Sequence, residues 1–250
     1  LRHFVGHRTG ELVVKKSEKQ VGGTAYKRPF HTYSNNFNKS SNNKSKADTR
    51  VLIGILVRRN DFQARKRVRR SWLRALHAME GLHITHYFII GTSSNETEYG
   101  ANNFILEQRE NKDIYVAPCR ESHLSLTCKV QSFMFEFAHT DDFDMMIKID
   151  EDTYVQALGL SDMLLTIGNS PMTYIGVLKH RNSVQRFNTR YSEHIFPTPY
   201  WMYYMTGGFY ALSSDLVQRI QCSYNMWGKK YWFTSEDTST GFLISQVKGE

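Results

Sequence analysis

Cysteine is scarce, long apolar runs are absent and no segment repeats. No stretch approaches the roughly 18 consecutive apolar residues that a membrane-spanning helix needs, and no signal-peptide pattern stands at the first residues. The three cysteines, Cys119, Cys128 and Cys222, form no metal-ligand spacing. Their odd count leaves at least one unpaired or paired outside the chain, and side-chain packing is the simplest role for them. An excess of one charge is also missing from most of the chain. The total of +8 suggests a nucleic-acid partner, but residues 1–50 hold 11 Lys/Arg against 3 Asp/Glu, whereas residues 51–250 hold 21 of each. The basicity belongs to the leader, so no nucleic acid is expected as a partner of the body.

What is present is enough for a core. With 40% apolar and 13% aromatic content, 250 residues can form one large domain, expected at 51–250, behind an appendage at 1–50. The leader is rich in Ser, Asn and Lys, lacks sustained periodicity and reads as a flexible basic stem or linker. Its start at Leu1 leads us to expect an upstream segment. Three Asn-x-Ser/Thr triplets, at Asn38, Asn43 and Asn95, fit a secretory-pathway protein, with Asn95 carrying most of that weight.

From Val51 onward the pattern alternates. VLIGILV (51–57), HITHYFIIG (83–91), DIYVA (113–117) and DFDMMIKID (142–150) read as strands. Between them, DFQARKRVRRSWLRALHAME, EYGANNFILEQREN and LTCKVQSFMFEFAHT read as helices, the first with Val68, Trp72, Leu76 and Met79 at helical spacing. PMTYIGVL and YMTGGFYALS look like later strands, followed by helices at SSDLVQRI and after SEDTST. Such alternation predicts an α/β fold with a mostly parallel central sheet flanked by helices, in which ligands bind beyond the carboxyl ends of the strands.

At one such end an apolar run finishes in three carboxylates, Asp150, Glu151 and Asp152. Like charges this close repel unless a cation lies among them, and oxygen-only ligands suit Mg²⁺ or Mn²⁺. A solvated acidic turn would give the same triplet. Other motifs weigh against that plainer reading. Five cations crowd residues 65–70 and Arg74 follows; Arg69, next to the inward-facing Val68, is the best placed for a phosphate. The glycines of TGGFY (206–210) permit close backbone approach to a ligand, and Asp237 in SED (235–237) is suited either to cap a helix or to act as a base beside a cleft. The aromatic cluster Tyr200, Trp201, Tyr203 and Tyr204 offers faces for sugar stacking or for the core.

In order, RKRVRRSW, YFIIG, ESHLSLTCK, KIDEDTYV, TGGFYALS and EDTSTG resemble the motif series of the inverting β-1,3-glycosyltransferases, a superfamily of β-1,3-galactosyltransferases, β-1,3-N-acetylglucosaminyltransferases and Fringe-like enzymes. The resemblance spans residues 51–247. It implies a GT-A type fold and transfer of galactose or N-acetylglucosamine from UDP-galactose or UDP-N-acetylglucosamine to a sugar hydroxyl of a glycan on glycoprotein or glycolipid, forming a β-1,3 linkage. It further implies Mn²⁺ (or Mg²⁺) bound through Asp150 and Asp152, donor contacts from Arg69, Lys129, Asp150 and Glu151, a sugar pocket at Tyr204, Gly207, Gly208 and Glu236, and Asp237 as general base. An upstream membrane anchor and a Golgi or endoplasmic-reticulum lumen, in a type II membrane protein, complete what it implies.

The departures are Glu151 for the middle Asp of the metal motif, Phe209 after the glycine pair, and Glu121, His123 and Ser125 in the third motif. Family members also continue to a metal-binding histidine beyond the acidic pair, so the resemblance makes the domain look incomplete at Glu250. A catalytically inactive carbohydrate- or UDP-binding relative of the same fold is the alternative.

Overall fold

The computed structural model describes residues 5–6, 12–13, 48–93, 98–168, 170–187, 193–194, 196–227 and 233–247. Asn38, Asn43, Asn95 and nearly all of the leader lie outside them. Two short strands, β1 (Val5–Gly6) and β2 (Leu12–Val13), pair with each other. Six more form the main sheet: β3 (Thr49–Leu56), β4 (Leu82–Thr92), β5 (Ile114–Arg120), β6 (Met145–Asp150), β7 (Tyr174–Lys179) and β8 (Tyr204–Ser213). Their order is β5-β4-β3-β6-β8-β7, with the first four strands parallel and β8 antiparallel to both neighbours.

The central strands are apolar on both sides because helices cover both. On one face Val51, Ile53 and Ile55 of β3 join Met145, Ile147 and Ile149 of β6. Val68 of α1 (Phe62–Arg70), Trp72, Leu73 and Leu76 of α2 (Trp72–His77), and Leu160 and Leu164 of α5 (Ala157–Ile167) pack against them, and α3 (Glu98–Asn111) adds Phe104. The opposite face is built from Leu52, Met146, Tyr210 and Leu212 against α4 (Leu126–Phe137), α6 (Ser214–Trp227) and α7 (Glu236–Gln246). Strand alternation turns this second face polar at the end of β6, where Lys148 and Asp150 continue the row begun by Met146.

The single helix expected at 61–80 is two. Ser71 leaves helical geometry at φ −105° and ψ −117°, ending α1 and preceding α2. The helix α5 was not foreseen; its core residues Leu160 and Leu164 are spaced one turn apart, but Gly159, Ser161 and Asp162 dilute the apolar stripe. The cysteines are not simply packing residues: Cys119 at the end of β5 and Cys128 in the first turn of α4 are joined in a disulfide, while Cys222 is free and exposed. Among the described residues no helix is long and apolar enough to cross a membrane.

Candidate active site

Pairing between β7 and β8 is irregular where the glycine pair sits. Gly176 opposes Tyr210 and Leu178 opposes Met205, so a two-residue step on β7 faces a five-residue step on β8. The surplus is a bulge containing Gly207 and Gly208, whose peptide groups leave the ladder and need other partners. They find them. The Gly207 N–H donates to Asp237 Oδ2 at 3.2 Å, the Gly207 carbonyl accepts from Lys148 Nζ, and the Gly208 carbonyl accepts from the Thr153 hydroxyl at 3.0 Å. The bulge thus ties the end of β6, the turn after it and the start of α7 together.

Lys148 is the hub of this junction. Its side chain is 6% exposed, and its ammonium donates to Asp150 Oδ1 at 2.6 Å and to the Gly207 carbonyl, and pairs with Glu236 Oε2 at 3.2 Å. Burial works against the charge, but Glu236 and Asp150 outweigh it and hold the Lys148 pKa above its ordinary value. Glu236 is itself buried, which pushes its carboxyl up against the opposing pull of Lys148. Tyr210 and Thr240 donate to its Oε1. Burial, then the nearby Glu236, push the Tyr210 phenol far up, so it remains a proton donor.

Around this junction opens a cavity of about 600 Å³, lined among others by Asp150, Glu236, Asp237, Arg181, Asn182 and Tyr204. Asp237 stands in the first turn of α7, where its Oδ1 accepts from the Thr238 N–H at 2.8 Å and from the Ser235 hydroxyl. Tyr204 is buried, with its hydroxyl accepting from Asn182 at 2.9 Å. Of the aromatic cluster, Trp201 and Tyr204 join a core with Phe196 and Phe233, whereas Tyr200 and Tyr203 are exposed. Tyr203 stacks on His180.

Asp150 and Asp152 open onto different depressions. Asp150 is one-third exposed in the large cavity, and its Oδ2 has no partner among the described residues. Asp152 lies in a smaller depression against Val68 and Trp72 of α1–α2, and Glu151 beside it accepts from the Arg58 N–H at 3.2 Å. Among the described residues no three His, Cys, Asp or Glu side chains gather into a cation cage. Asp150 is thus the one member of the triplet on the wall of the large cavity, and a hard divalent ion there would take most of its shell from water and ligand oxygens.

Two expected donor contacts are placed elsewhere. Arg69 donates to both oxygens of Asp113, at 2.7 and 2.8 Å, and to Glu107 at 2.7 Å, which occupies its guanidinium edges. Lys129 is buried and pairs with Glu121 at 2.7 Å, whose other oxygen accepts from the Gly91 N–H at 2.5 Å. Neither cation lines the large cavity. Lys148, in contrast, carries no assigned role in the sequence reading although it stands in the quoted KIDEDTYV. Its apolar flanks, Ile147 and Ile149, offered no sign that it would meet Asp150 and Glu236.

Residues 63–249 match the family model described as Galactosyltransferase. Among curated proteins, the chain is 26% identical over 216 residues to "Probable beta-1,3-galactosyltransferase 1" of Arabidopsis thaliana, covering 80% of this chain and 54% of that protein. It is 24% identical over 211 residues to "Beta-1,3-galactosyltransferase 5" of Mus musculus, covering 82% of this chain and 66% of that one. The chain thus spans about half to two thirds of the length of these relatives. Among solved structures, the galactosyltransferase LgtC in complex with donor and acceptor sugar analogs aligns at a TM-score of 0.40 and 12% identity, over 77% of this chain and 70% of that one.

Proposed function

The chain belongs to the galactosyltransferase family, and from that premise we propose that it moves galactose or N-acetylglucosamine from a UDP-sugar to a sugar hydroxyl of a glycan, inverting the anomeric centre to give a β-1,3 linkage. The observation that carries this reading is the seating of Asp237: a carboxylate at a helix start, fixed by Gly207, Thr238 and Ser235, in the same cavity as Asp150. In the reaction Asp237 takes the proton of the acceptor hydroxyl as that oxygen attacks the anomeric carbon, and the carbon–oxygen bond to UDP breaks in the same displacement. Asp150 would hold a divalent ion, which when bound would supply neutralisation of the charge on the departing UDP. Asn182 and Tyr204 offer amide and hydroxyl groups to a sugar, and the bulge at Gly207 holds its peptide N–H against Asp237. No covalent enzyme intermediate forms, so no nucleophile is required.

A Golgi or endoplasmic-reticulum lumen fits the disulfide, because such crosslinks persist in oxidising compartments. A membrane anchor upstream of this segment, with the basic leader as stem, belongs to the same proposal. The test is incubation with Mn²⁺, UDP-galactose or UDP-N-acetylglucosamine and a galactoside acceptor, followed by linkage analysis of the product. Transfer that is lost in Asp237→Asn while Mn²⁺-dependent UDP binding survives is the expected result; UDP release no greater than in Asp150→Ala would overturn it.

A further inference from the structure

We propose that Lys148 is a positioning residue that sets the catalytic base and the donor-side carboxylate from one buried ammonium; this rests on the transferase reading above. An ammonium has three protons, and Lys148 has three acceptors: Asp150, the Gly207 carbonyl and Glu236. No proton is left for a substrate, and the side chain is nearly solvent-free. Its influence therefore passes through its partners.

The first route is short. By engaging Oδ1 of Asp150, Lys148 fixes that carboxylate at the cavity wall and leaves Oδ2 unengaged by it. The second runs through one peptide unit on each side of Gly207. Lys148 holds the Gly207 carbonyl, and the Gly207 N–H in turn holds Oδ2 of Asp237. Because the bulge has removed Gly207 from the β-ladder, no strand partner keeps this residue in place if Lys148 lets go. Glu236, immediately before Asp237, gives a third hold on the same helix start. The two carboxylates that the reaction needs at opposite ends of the transferred sugar thus share a single anchor.

Lys148→Met keeps the volume and removes the charge, but strands the buried Glu236 and can fail to fold. Lys148→Met combined with Glu236→Gln removes both members of the buried pair, leaves Asp150 solvated, and is compared with Glu236→Gln alone. Three readouts are taken: melting temperature, amide hydrogen exchange at Gly207, and kinetics with UDP-galactose or UDP-N-acetylglucosamine. The double variant is expected to melt close to Glu236→Gln, to exchange the Gly207 amide about 10-fold faster, and to lose about 10–100-fold in kcat with a further rise in donor KM, the scale found when residues that orient metal or substrate ligands are removed.

Kinetics and Gly207 exchange matching those of Glu236→Gln would overturn the proposal, leaving Lys148 as a charge balancer alone. Failure of the underlying reading looks different: the wild-type chain would neither bind UDP with Mn²⁺ nor transfer sugar. Gly207 exchange, which needs no donor, would still decide whether Lys148 anchors the base.

Discussion

At Asp113 burial pushes the carboxyl up while His86 and Arg69 pull it down, and the balance lies at about 2 against an ordinary 3.8. A folded-state value below the unfolded one means that this group stabilises the fold above about pH 4 and that its contribution drains away as pH falls towards 2. Asp113→Asn should therefore lower the neutral melting temperature, because Arg69 loses a charged partner, and should flatten the acid limb of a melting-temperature profile over that interval. Gly207 makes a prediction of the opposite kind. A β-carbon there would lie 3.5 Å from Lys148 Nζ and 3.7 Å from Asp237, ordinary contacts that the fold accepts. Gly207→Ala is expected to melt within about 2 °C of wild type, as surface-like changes of under 0.5 kcal/mol do, yet, on the proposed role of Asp237, to transfer sugar at least about 10-fold more slowly, because its methyl group would stand beside that carboxylate. Arg69 and Lys129 show why residue roles were only partly legible. A cation in a motif announces its charge, but its carboxylate partner, such as Asp113 44 positions away, is chosen by tertiary packing.

Among the elements, α7 must approach the start of β8 very closely to deliver Asp237. A β-carbon on Gly241 would fall 2.4 Å from the Tyr204 β-carbon and 3.0 Å from the Tyr203 carbonyl, neither of which can swing aside. Gly241→Ala should cost about 1–3 kcal/mol in denaturant melts and reduce activity further by tilting the helix start, a loss that stabilising mutations elsewhere would not restore. The same scale explains what could be read in advance. The strand over 204–213 matches the reading of YMTGGFYALS residue for residue, since apolar and aromatic residues flank the glycines on both sides. The bulge inside it was not readable, because it exists only relative to β7, and no local pattern in TGGFY distinguishes a bulge from a turn. The parallel order of β3 to β6 followed from strand and helix alternation, whereas the antiparallel insertion of β8 between β6 and β7 depends on pairing between distant segments.

For the molecule as a whole, the Cys119–Cys128 crosslink joins the end of β5 to the head of α4 across a sequence separation of 9. Closing so short a loop contributes about 2–3 kcal/mol in the chain-entropy description. Reduction with a phosphine, or Cys119→Ser with Cys128→Ser, should lower the melting temperature by several degrees while leaving Asp150 and Asp237 in place, so that activity at low temperature persists. Loss of all transfer on reduction at 10 °C would contradict this separation of crosslink and site.

Lys148 and the groups it satisfies come from three widely separated stretches: the end of β6, the bulge of β8 and the first turn of α7. A nascent polypeptide therefore carries an ammonium that only Asp150, two residues further on, can satisfy until β8 and the first turn of α7 have been made. Translation that stopped short of Glu236 would leave the Lys148 ammonium without its buried carboxylate partner, a defect that the first half of the molecule has no means of repairing.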